Sequence, residues 1–198
     1  MYKSILTIVI LFSFFACSQS DTLELVDSPK AEVVSMNGKS LQEIVREKNL
    51  AGNDLSILID KSEYTFQVLH KDSVLITYPC VFGFNPVDDK HQEGDGCTPE
   101  GTFKIRSKYP HRSWSYFIWI DYPNKTSWKR FNDRKANGEI DDKATIGGEI
   151  GIHGVPKGAD EMISSKTNWT LGCISLTTKS ITDVYKSIGP NTIIEIVP

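Results

Sequence analysis

The strongest constraint on the fold is a repeated two-residue alternation of apolar and polar side chains. In DLSILID (54–60), Leu55, Ile57 and Ile59 fall on one side of an extended chain and polar residues on the other, the pattern of a half-buried strand. Lys61-Ser62 and Lys71-Asp72 mark turns ahead of two similar runs, EYTFQVLH and SVLITYPCVF. Further strand-like runs are GTFKIRS (101–107), SYFIWIDY (115–122) and TIIEIV (192–197). Helical spacing is rarer. SLQE at 40–43 has the form of a capping box, with Leu41, Ile44 and Val45 on one face of a helix ending near Gly52. In TTKSITDVYKSIGP, Ile181, Val184, Tyr185 and Ile188 share a face and Gly189-Pro190 supplies a stop. Trp128, Phe131 and Lys135-Ala136 suggest a short helix ending before Gly138. Many strands with few short helices predict a mainly β domain, sandwich-like or barrel-like.

The N-terminus reads as an address. Lys3 precedes an apolar run from Ile5 to Ala16, too short to span a bilayer and of the length of a secretory h-region. Cys17 ends that run and resembles the lipidated cysteine of bacterial lipoproteins; cleavage after Ser18 is the alternative, and both readings export the chain. Residues 1–17 are therefore expected to be a signal segment, 18–53 a polar tether with one short helix, and 54–198 a single domain. A formal net charge of −3 gives no basic footprint, so nucleic acid is not an expected partner.

Four cysteines stand at 17, 80, 97 and 173. With Cys17 lipidated, three remain, an odd number for an exported protein; a Cys80–Cys97 bridge is possible but has no sequence support. The scattered Cys and His lack the close ligand spacing of a zinc site, so no metal and no cofactor is expected. The polar stretch GFNPVDDKHQEGDGCTPEG (83–101) is longer than an ordinary connection and lacks the acid order of a calcium loop. Of four histidines, His70, His91 and His111 read as structural or surface residues. His153 differs, because Gly147, Gly148, Gly151 and Gly154 keep the backbone bare around its imidazole.

Taken together, His153-Gly154 followed by T-L-G-C at 170–173 is similar to the H-x(n)-[ST]-x-G-C signature of L,D-transpeptidase (YkuD) domains. GDGCTPEGTFKI (94–105) resembles the family's G-D-x-x-T-P-x-G-x-F-x-I segment, and the sequence after Gly172-Cys173 resembles its continuation. The long loop and Pro123-Asn124 look closest to the YafK-type branch. The resemblance implies a Cys173 nucleophile served by His153, whose ring is oriented by a backbone carbonyl. It implies an oxyanion site at the N–H groups of Gly172 and Cys173, with Thr170, Gly154 and Ser175 contributing to substrate or oxyanion binding. An imidazolium beside the thiol is expected to lower its pKa. Where many members carry arginine two residues after the nucleophile, a partner for a substrate carboxylate, this chain has Ser175. Peptidoglycan stem peptides are the implied substrates, with a membrane as partner through the lipid. The implied activity is transfer of a diaminopimelate carbonyl to an amine; hydrolysis of the same thioester, or an inert wall-binding lipoprotein, are the alternatives. Gly94–Gly101 and residues 123–146 are expected to wall the cleft.

Overall fold

The computed structural model describes residues 33–35 and 38–198; the signal segment, Cys17 and most of the tether lie outside the described residues. Nine strands, β1 (Val34–Ser35), β2 (Leu55–Asp60), β3 (Thr65–His70), β4 (Ser73–Pro79), β5 (Gly101–His111), β6 (Ser115–Ile120), β7 (Gly151–Gly154), β8 (Ile174–Leu176) and β9 (Ile193–Val197), form one sheet in the order β1-β4-β3-β2-β9-β5-β6-β7-β8. Four short helices accompany it: α1 (Leu41–Glu47), α2 (Lys125–Ala136), α3 (Glu161–Ser164) and α4 (Thr178–Ser187). The mainly β architecture is as expected from the alternation.

The sheet curls because β5 serves two neighbours. Its first residues, Gly101–Lys104, pair with β9, and Ile105–His111 pair with β6 across a register shift at Ile105/Ser107, the kind of irregularity that bends a strand. The far edge then folds back: Val81, just beyond β4, exchanges backbone hydrogen bonds with Ser175 of β8 at 3.0 and 2.8 Å. Leu55, Ile57 and Ile59 of β2 and Ile194 and Ile196 of β9 point into the enclosed core. Each is nearly fully buried, which stabilises the fold by about 1.5–3 kcal/mol per side chain.

The helices follow local rules. Ser40 and Glu43 complete the capping box of α1, and α4 starts at Thr177, whose hydroxyl accepts from the Ser180 N–H. Asp183 of α4 accepts from the Leu41 and Gln42 N–H groups and from the Tyr78 hydroxyl, fastening α1 and β4 to α4. The run SVLITYPCVF is a strand only to Pro79. Cys80 and Cys97 are free thiols, both buried, so the possible bridge between them is absent.

Candidate active site

Strands β7 and β8 run parallel, with His153 level with Ser175 and Ile152 level with Ile174. One step earlier, before β8 begins, Cys173 lies beside Gly151, whose N–H donates to Cys173 Sγ at 3.4 Å. The thiol in turn donates to the Glu149 carbonyl at 3.5 Å. Gly172 has φ +138, open to glycine alone, and a Cβ there would lie 2.6 Å from the Cys97 carbonyl oxygen. The glycine thus lets the turn that carries Cys173 pack directly on the 83–101 loop.

His153 is 2% exposed. The Trp114 ring lies on its imidazole, with centroids 4.4 Å apart and planes 23° from parallel. Phe117, its register partner on β6, stacks at 5.6 Å, and Trp169 approaches edge-on at 5.6 Å. His153 Nδ1 lies 2.9 Å from the Gly154 carbonyl oxygen. A carbonyl can only accept, so Nδ1 carries the hydrogen and Nε2 is left as the basic nitrogen. A backbone carbonyl therefore orients the ring.

Burial pushes the His153 imidazole down to about 4, against a weaker opposing pull from the Gly154 carbonyl. Burial likewise pushes the Cys173 thiol up to about 11, which the Gly151 N–H and the Lys90 charge only partly offset. At neutral pH the resting pair is a thiol and a neutral imidazole. Desolvation works against the imidazolium expected to activate the thiol in advance, since it penalises both charged forms.

His153 and Cys173 open onto one cavity of about 500 Å³, shared with Lys90, Glu93, Gly94, Trp114, residues 147–150 and residues 169–171. Its lining does not include the expected 123–146 segment, half of which forms α2. Gly147, Gly148, Glu149 and Ile150 line the cavity instead, joined to the facing loop by two contacts of Glu93: its N–H donates to the Thr145 carbonyl, and its carboxylate accepts from the Thr145 hydroxyl. The 83–101 loop is tied down by side-chain contacts. Lys61, 2% exposed, reaches Glu100 at 2.6 Å and the Asp88 carbonyl at 2.8 Å. Asp95 accepts from the His91, Gln92 and Cys97 N–H groups and from Lys90. Burial raises the Asp95 carboxyl, but these contacts outweigh it and hold the group below its ordinary range.

Four expected contributors make contacts of their own within the fold. Ser175 is 0% exposed, with Oγ 3.5 Å from His153 Nδ1, so it lies beneath the imidazole and away from substrate. Gly154 is buried, and its N–H donates to the Trp114 carbonyl while its own carbonyl holds His153. The Gly172 N–H is engaged by Thr170 Oγ1 at 3.1 Å, and that hydroxyl donates to the Cys173 carbonyl at 2.7 Å. Gly172 and Thr170 thus shape the turn, and the Cys173 N–H is left without an acceptor among the described residues. Trp114, Lys90, Glu93 and Glu149 were not singled out from the sequence, since nothing local marks a side chain that arrives from a distant loop.

No curated protein matches the chain. The solved structure of the helical cell shape determining protein Pgp2 from Campylobacter jejuni is similar at a TM-score of 0.52 and 18% identity, over 79% of this chain and 54% of that one. Bd1075 from Bdellovibrio bacteriovorus gives 0.49 and 21%, over 73% and 48%. An L,D-transpeptidase from Mycobacterium smegmatis gives 0.49 and 15%, over 73% and 59%. The chain spans about half the length of these solved proteins. A model of the L,D-transpeptidase catalytic domain, YkuD, matches residues 54–196, and the chain belongs to that family.

Proposed function

We propose that the protein is a peptidoglycan L,D-transpeptidase in which Cys173 is the nucleophile and His153 the base. The observation that carries this reading is the sharing of one cavity by the Cys173 thiol and an imidazole held by the Gly154 carbonyl with Nε2 bare. Because both groups rest neutral, the thiol proton passes to His153 Nε2 as Sγ attacks the diaminopimelate carbonyl carbon of a stem tetrapeptide. The Cys173 N–H faces the developing oxyanion; losing one such donor typically costs about 2.7–4 kcal/mol in the transition state. The Gly151 N–H steadies the sulfur while it bears charge. The C–N bond to the terminal D-residue breaks, His153 returns the proton to the departing amine, and a thioester remains. An incoming amine forms a new C–N bond, and the C–S bond breaks to regenerate the thiol. The chain is exported and held to a membrane by lipid on Cys17, which leaves the polar segment after it to reach the wall.

The test is incubation with a disaccharide-tetrapeptide, with and without an acceptor amine, followed by mass spectrometry. A 3→3 cross-linked dimer is the expected product. Tripeptide alone with acceptor in excess would assign hydrolysis, and no product with any wall fragment would overturn the substrate class.

A further inference from the structure

We infer that Glu149 is a specificity residue: its carboxylate captures the ammonium form of the incoming amine beside the thioester, favouring transfer over hydrolysis. This inference rests on the acyl-transfer reading above.

The ionisable side chains around the thiol are Lys90, Glu93, Glu149 and His153. Two of them carry no charge available to a ligand. His153 rests neutral, and Lys90, its side chain 3% exposed, is committed to Asp95 at 2.7 Å. Ser175 lies buried under His153. Among the described residues, the cavity therefore presents no free cation to a carboxylate and has two carboxylate side chains in its lining. Glu93 is tied to the opposite wall through Thr145. The Glu149 carboxylate, exposed at the cavity, has no hydrogen-bond or ion-pair partner among the described residues. Its own carbonyl receives the Cys173 thiol hydrogen, so the side chain branches from the residue that touches the nucleophile. Glu149 also holds φ +58 in a run where glycines stand at 147, 148 and 151. A non-glycine residue at such a φ is uncommon.

The chemistry balances without a further reactant. The bound ammonium gives up one proton to solvent. The nitrogen lone pair then forms the C–N bond, the C–S bond breaks, and a second N–H proton passes through His153 Nε2 to Cys173 Sγ. Glu149 takes no proton; it concentrates the amine against water, which has no charge to be held.

The test is the partition of a preformed acyl-enzyme. Loaded from a stem tetrapeptide, wild type and Glu149→Gln are given either an aliphatic amine, cationic at neutral pH, or methoxyamine, uncharged there. The ratio of aminolysis to hydrolysis is read by mass spectrometry, so any change in acylation rate drops out. For the aliphatic amine the ratio is expected to fall roughly threefold to tenfold in Glu149→Gln, the size of a partly exposed ion pair, and for methoxyamine to stay constant. An unchanged ratio for the aliphatic amine, or an equal fall for both, overturns the inference while leaving the transpeptidase reading intact. Failure to load any stem peptide overturns that reading, and this inference with it.

Discussion

Trp114 lies flat on His153 at 4.4 Å and, through its carbonyl, also accepts the Gly154 N–H at 3.0 Å. One residue of the β5–β6 turn thus covers the face of the imidazole and fixes the peptide whose oxygen orients it. Trp114→Ala is expected to lower kcat about tenfold to a hundredfold, the scale of a misplaced reacting group. Water reaching the ring is expected to return His153 toward its ordinary pKa in an NMR titration. Trp114→Phe should recover most of both. A lower kcat with no movement of the titration would limit Trp114 to substrate contact.

Thiol alkylation reports the resting protonation state directly. With Cys173 near 11, the rate with iodoacetamide is expected to rise about tenfold per unit between roughly pH 7 and 9. A preformed thiolate would give a flat profile over that range. The adduct is expected on Cys173 alone, because Cys80 and Cys97 are buried whereas Cys173 opens onto the cavity. Cys173→Ala should abolish turnover and labelling together.

Stability should weaken in mild acid. His153 falls from an ordinary 6.5 to about 4 in the folded chain, so between these values the unfolded state binds the extra proton. Stability is then complete above about 6.5 and declines as pH drops toward 4, by about 3 kcal/mol in total for this group. His153→Gln should flatten that part of the Tm-versus-pH curve; a parallel curve would assign the slope to other groups.

Removing the ammonium of Lys61 leaves Glu100 without its partner and frees the Asp88 carbonyl. Lys61→Met is expected to destabilise the fold by about 3 kcal/mol, the lower range for breaking a buried pair, and to speed amide exchange across 85–100. Adding Glu100→Gln should recover part of the loss. Denaturant unfolding and hydrogen exchange measure both effects.

Lipid attachment is tested by phase partition. The wild-type protein is expected in the detergent phase, held by about 0.8 kcal/mol per buried methylene, and Cys17→Ser is expected in the aqueous phase. A mature N-terminus at Gln19 in the wild type would instead indicate simple secretion.

Where structure depends on neighbours in the chain, it was legible. β2 and β9 alternate cleanly, and α4 declares its buried face through Ile181 and Val184. β7 and β8 escaped because their four and three residues are all buried, leaving no alternation to read. Cys173 and His153, which share the cavity, stood out through their glycine contexts, whereas the residues around them did not. Ser175 follows Cys173 by two positions but does not share its surroundings, since Cys173 belongs to the turn opened by Gly172 and Ser175 to the strand beyond it. Trp114 and Glu149 reach the site from turns whose meeting depends on the curl of the sheet.

Strand β9 sits between β2, to which it runs parallel, and β5. The middle of the sheet is therefore filled by the last of the described strands in chain order. A chain emerging from its N-terminal end carries β2 and β5 with their edges open until residues 193–197 are free, so it stays sticky to other strands until then. Completion of the sheet, and with it the alignment of thiol and imidazole, is timed by the release of five residues that touch neither.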